Sequence, residues 1–172
     1  MGYAGGAKDN PTYSDMGDHS ESIEIGYDPK ATSYSDLLDI FWNSHLPTAR
    51  PFSRQYMSII FYHNEEQRRL ALDSKRRQED QLGMPVFTEI VPARAFTQAE
   101  DYHQKFYLRK NRSLMHDLKA MYPDEDGLVD SPAAAKINGF LGGYGTRESL
   151  RQILPSLGLS EKARQALLKK GQ

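Results

Sequence analysis

The stretch Tyr56-Met-Ser-Ile-Ile-Phe-Tyr-His-Asn-Glu-Glu-Gln-Arg-Arg-Leu70 decides the fold class. Its first seven residues are strongly apolar and aromatic, the composition of a strand. Asn64 then stands where a helix N-cap is needed, and the pattern predicts a helix from Glu65 to about Gln81. Leu70 and Leu82 are its few apolar anchors. The Glu, Gln, Lys and Arg around them put most of the helix circumference in water. Gly83 and Pro85 end the helix. Val86–Val91 follows as another strand, with Val86, Thr88 and Ile90 alternating against Phe87, Glu89 and Val91.

Strand, helix and strand in succession imply a layered fold, and the flanking sequence extends the pattern. Upstream, Ser22–Tyr27 alternates, with Ile23, Ile25 and Tyr27 on one face, and Asp28-Pro29 closes it as a turn. Ser33 reads as an N-cap with Asp36 as capping-box partner. The helix that follows, Tyr34–His45, carries Leu37, Leu38, Phe41 and Trp42 on one stripe and ends before Pro47. Residues 48–55 read as an irregular loop, and Ala99–Arg109 as a further helix. The expected class is therefore α/β (α+β), a small mixed sheet with helices packed on it. Three strands need another to cover the open edge.

Past Asn111 the pattern changes. Tyr122–Gly127 is an acidic turn and Gly139–Gly145 a glycine-rich connector. Thr146 caps a short helix to Leu154, and Ser160 with Glu161 starts a last one to Lys169. Leu150, Ile153, Leu154, Leu157 and Leu159 can pack together, so this part reads as a helical appendage. The expected division is an α/β domain over residues 1–112 and a helical C-terminal extension over 113–172.

Composition narrows the functional classes. One Trp, ten Tyr and seven Phe in 172 residues are enough to bury a core. A net charge of -1 gives no field to draw in nucleic acid or an anionic membrane. No apolar run approaches the length of a membrane-spanning helix, and no signal-peptide pattern opens the chain, which sets the expectation of a cytoplasmic location; a monomer is expected. There is no cysteine. That excludes a disulfide framework, a thiolate zinc site and a thiol nucleophile within these residues.

The first twenty-one residues concentrate turn chemistry beside polar groups. Gly2-Tyr-Ala-Gly-Gly6 is followed by no Gly-Lys-Ser/Thr, and Pro11 blocks a helix from opening there, which argues against a phosphate loop. The five histidines, at 19, 45, 63, 103 and 116, form neither His-x-x-x-His nor His-Glu-x-x-His, so no metal is expected. Glu21 begins a strand beside His19 and a glycine turn. A carboxyl there, facing aromatic surroundings, could serve as proton donor; a solvated strand-end glutamate is the plainer reading. Tyr13 and Tyr56 end loops, and each hydroxyl could face a ligand or simply pack.

Gly2-Tyr-Ala-Gly-Gly6, Asn10-Pro-Thr-Tyr13, Gly17-Asp-His-Ser-Glu21 and Tyr27-Asp-Pro29 occur in order. They are followed by Leu37-Leu-Asp-Ile-Phe-Trp-Asn-Ser-His45, Gln55-Tyr-Met-Ser58, Thr88-Glu-Ile90 and Ala99-Glu-Asp-Tyr-His-Gln104. This series resembles the peptide methionine sulfoxide reductase A family over about Gly2–Asn111. The resemblance implies a ferredoxin-like mixed α/β fold and reduction of the S epimer of methionine sulfoxide, free or in proteins. It implies a cysteine thiolate that attacks the sulfoxide sulfur, a sulfenic acid that forms as methionine leaves, and thioredoxin or another thiol as reductant, with no bound cofactor. By motif position Glu21 would be the acid on the sulfoxide oxygen, and Tyr13 and Tyr56 the hydroxyls beside it. The family's Gly-Cys-Phe-Trp segment belongs upstream of Gly2, so the chain reads as N-terminally truncated and inactive by itself. A non-catalytic sulfoxide-recognising or protein-interaction module is the alternative.

Overall fold

The computed structural model describes residues 1–170. The chain divides into two compact units, Met1–Ala99 and Glu100–Gln172.

In the first unit, β1 (Gly2–Ala4) is the middle strand of an antiparallel sheet. β2 (Ser20–Ser22) lies on one side, with Tyr3 opposite Glu21. β5 (Phe96–Gln98) lies on the other, with Tyr3 opposite Thr97. A second sheet pairs β3 (Ile59–Tyr62) and β4 (Glu89–Pro92) in parallel, in the register Ile60 to Ile90. A parallel pair needs a crossover, and α2 (Glu65–Leu82) supplies it. Asn64 caps α2 by accepting from the Gln67 amide, and Gly83 ends it in the left-handed region. α1 (Tyr34–Asn43) begins with the expected capping box between Ser33 and Asp36. Leu38, Trp42, Ile60, Ala71 and Val86 form the core between the helices and the parallel pair. Trp42 carries its indole N–H into that core and satisfies it on Ser74 Oγ at 3.0 Å.

Four expectations are corrected here. The strand expected over Ser22–Tyr27 is cut short at Ser22, and Ile23, Ile25 and Tyr27 are exposed. Alternation alone does not supply a partner strand, and among the described residues no strand pairs with that segment. The strand expected at Tyr56 starts at Ile59, because Arg54–Tyr56 turns as a 3-10 segment. The strand expected over Val86–Val91 is shifted to Glu89–Pro92, in register with β3. The helix expected over Ala99–Arg109 is broken into a 3-10 turn (Asp101–His103) and α3 (Phe106–Arg109) by Lys105, whose φ of 49° is left-handed. Two strands are unexpected: β1 lies in the stretch that reads as a turn, and β5 in one assigned to no element.

The second unit is helical: α3, α4 (Arg112–Met121), α5 (Glu125–Asp130), α6 (Pro132–Leu141), α7 (Arg147–Ile153) and α8 (Glu161–Lys170). Asn111, Asp124, Ser131 and Thr146 each cap the helix that follows them. Leu108, Leu114, Leu118, Leu128, Ile137 and Leu167 are fully buried in its core, where the expected Leu150–Leu159 cluster also docks. No described helix is long and apolar enough to cross a membrane.

Candidate active site

The glycine turn after β1 folds back onto the residues leading into β2. Gly5 has φ +83°, and a Cβ there would sit 2.9 Å from the Phe61 ring. At Gly6 a Cβ would meet Asp18 and the His19 backbone at under 3 Å, so only glycine lets the two segments approach. Asp18 accepts from the Ala7 amide at 2.9 Å and from the Lys8 amide at 3.2 Å. These backbone donors, Ala7 first and Lys8 second, hold its carboxyl below the usual carboxylate range. His19 is buried; its Nδ1 accepts from the Gly6 amide at 3.3 Å, so Nε2 carries the proton and donates to the Lys8 carbonyl at 2.8 Å. The turn is thereby pinned at both ends, and β2 leaves it with Glu21 in a defined place.

β2 is tied to the Arg54–Tyr56 turn by two successive residues. Ser20 Oγ donates to the Arg54 carbonyl at 2.6 Å, and Gln55 Nε2 donates to Glu21 Oε1 at 2.8 Å. Arg54 is itself anchored, with Nη1 2.9 Å from Glu89 Oε2 at the start of β4.

Glu21 and Tyr56 both line one cleft of about 760 Å³, which is predominantly apolar. Ile23, Ile25, Tyr34, Phe41 and Phe96 contribute to its walls. This is the setting expected of a ligand site, a concave apolar surface with a few placed polar groups. Tyr13 does not line this cleft; it lies on the loop after β1, in the turn bridged between Thr12 and Asp15, and is 47% exposed.

Two lining residues escape a reading of the sequence as catalytic candidates. Tyr34 has a buried hydroxyl without a hydrogen-bond partner. Burial first, and the Tyr27 phenol second, push its pKa up, so it remains a neutral donor. Its place one helical turn before Leu37 and Leu38, and two before Phe41, on the apolar stripe is the available signal. Gln55 offered no such signal, because its partner is thirty-four residues away along the chain.

His45 and Ser58 also line the cleft. His45 Nδ1 lies 2.9 Å from the Phe41 carbonyl, which only an N–H can approach, so Nε2 is the acceptor for Ser58 Oγ at 2.8 Å. Ser58 in turn lies 2.9 Å from the buried Thr88 hydroxyl. With the acceptor nitrogen of His45 engaged by Ser58 and the Ser58 hydroxyl held between His45 and Thr88, this relay ties α1 to the parallel strands. Among the described residues no three His, Asp or Glu side chains gather as a metal site.

The fold and the cleft define a mixed α/β protein with a carboxyl group set in an aromatic-lined pocket. Comparison with known proteins identifies its family. Residues 1–128 match the family model described as peptide methionine sulfoxide reductase. The peptide methionine sulfoxide reductase of Drosophila melanogaster is 41% identical over 167 residues, covering 96% of this chain and 67% of that protein. The MsrA of Methanothermobacter thermautotrophicus is 45% identical over 122 residues, covering 64% of this chain and 72% of that protein. The crystal structure of reduced Mxr1 from Saccharomyces cerevisiae superposes with a TM-score of 0.58 at 31% identity, over 64% of this chain and 68% of that one. The chain belongs to the peptide methionine sulfoxide reductase family, whose members reduce the S-oxide of methionine.

Proposed function

We propose that the cleft beside Glu21 binds the methionine sulfoxide side chain of a peptide or of the free amino acid, and that Glu21 donates to the sulfoxide oxygen. The observation that carries this is the placing of Glu21 and Tyr56 on the wall of one apolar cleft. A sulfoxide sulfur becomes electrophilic when its oxygen is hydrogen-bonded or protonated, and a neutral carboxylic acid can do both. The apolar walls suit the methyl and methylene groups. Tyr13, on the loop after β1, is the second hydroxyl that the resemblance assigns to the oxygen.

The attacking thiol is a different matter. These 172 residues contain no cysteine, so the thiolate that attacks the sulfur is not among them, and we assign thioredoxin or another thiol only the later step, reduction of the sulfenic acid formed on that thiolate. On its own the chain recognises the sulfoxide and does not reduce it. Calorimetric titration with a peptide holding the S epimer is expected to show binding, with the R epimer weaker. The same protein with dithiothreitol is expected to show no turnover. Absence of binding would sink the recognition reading, and measurable turnover would sink the division of labour.

A further inference from the structure

The Gln55 carboxamide has a single described contact, and it is made to the proposed acid. Gln55 Nε2 donates to Glu21 Oε1 at 2.8 Å. We propose that Gln55 is a positioning residue, which reserves Oε1 as an acceptor and thereby fixes Oε2 as the oxygen that carries the proton toward the ligand. This rests on the reading of Glu21 as the sulfoxide-binding acid.

The reasoning is one of donor and acceptor capacity. A protonated carboxyl has one hydroxyl oxygen and one carbonyl-type oxygen, and the carbonyl oxygen is much the better acceptor. An amide N–H already aimed at Oε1 therefore places the acid proton on Oε2. It also stops the carboxyl from rotating, so that the donor points in one direction before a ligand arrives. Without it the proton is distributed over two oxygens and two orientations, and binding has to order them.

Gln55 can do this because its turn is held. The Ser20 hydroxyl donates to the carbonyl of the residue before it at 2.6 Å, and that residue's guanidinium is paired with Glu89 at 2.9 Å. The Met57 amide closes the turn onto the Arg54 carbonyl at 3.2 Å. The next residue is Tyr56, on the wall of the same cleft. One three-residue turn thus delivers the group that orients the acid and a phenol that lines the same cleft. The bland alternative is that the Gln55–Glu21 contact merely fastens β2 to the turn.

The two are separated by a ligand that differs only in the oxygen. Binding of an N-acetylated, amidated methionine sulfoxide and of the matching methionine thioether is measured calorimetrically on the 172-residue chain and on Gln55→Leu, Glu21→Gln and the double variant. Gln55→Leu is expected to weaken the sulfoxide about tenfold, as for loss of one ordered hydrogen bond, with the thioether unchanged. In the Glu21→Gln background the same substitution is expected to have no further effect. Equal weakening of both ligands, or an undiminished effect without Glu21, overturns the positioning role in favour of the fastening one. If Glu21→Gln weakens the sulfoxide and Gln55→Leu does not, the positioning role fails while the site reading stands. If Glu21→Gln is without effect, or the unmodified chain binds no sulfoxide, the site reading itself fails and takes this inference with it. Circular dichroism melts of each variant separate unfolding from altered binding.

Discussion

At the scale of single residues, the chain uses short polar side chains to fix backbone that has no regular structure. His19 is the clearest case, a buried imidazole with both nitrogens committed to the glycine turn. His19→Leu removes a donor and an acceptor together and leaves the Gly6 amide and the Lys8 carbonyl to find water. A loss of about 2 kcal/mol is expected in urea unfolding, together with weaker sulfoxide binding because Glu21 follows two residues later. Asp117 does comparable work in the helical unit. Its carboxyl is held below the usual range by Ser160, through the hydroxyl first and the backbone amide second, the amide at 2.8 Å. A folded value below the ordinary 3.8 means that this contribution is complete at neutral pH and is lost as pH falls from about 4 through the folded value. Asp117→Asn is expected to lower stability at pH 7 and to flatten the acid limb of a pH–melting curve. A variant whose acid limb is as steep as that of the parent would show that Asp117 does not contribute it.

At the scale of elements, helix ends were far easier to read than strands. Ser33, Asn64 and Thr146 cap helices where a hydroxyl or amide precedes an amphipathic run. The physical reason is locality: a cap is decided by residues three apart, all visible in one window. Ser33→Ala is accordingly expected to cost about 1 kcal/mol, read by chemical denaturation. Strands depend on what lies beside them. Gly2–Ala4 pairs on both sides with segments far along the chain and so becomes a middle strand despite its turn-like composition. Ile23–Tyr27 has the alternation of a strand and no partner. The broken helix at 99–109 is a third kind of failure, since Lys105 takes a left-handed conformation that its residue type does not announce. Among the site residues, Glu21 and Tyr56 could be singled out because each ends a recognisable element. Gln55 could not, as its meaning lies wholly in its distant partner.

At the scale of the whole molecule, each unit has its own hydrophobic cluster, and they differ in kind. The helical unit buries leucines from five of its helices and a 3-10 turn in one cluster, and Leu118→Ala there is expected to cost 2–5 kcal/mol, measured by thermal unfolding. Residues 100–172 expressed alone are expected to melt cooperatively by circular dichroism, because their core is self-contained. A non-cooperative melt would refute that. The α/β unit has two smaller clusters, one of five buried residues and one of Tyr3, Met16 and Ala99, and an open cleft. By itself the sequence determined α1, α2, α7 and α8, the α/β class, the absence of any thiol in these residues and, through its ordered motifs, the family, because these depend on local periodicity, composition and residue order. Only the tertiary structure decided that β1 is central, that Glu21 and Tyr56 line one cleft that Tyr13 does not line, and that Gln55 donates to Glu21. Those facts are contacts between residues dozens of positions apart, and chain folding, rather than any local preference, brings them within hydrogen-bonding reach.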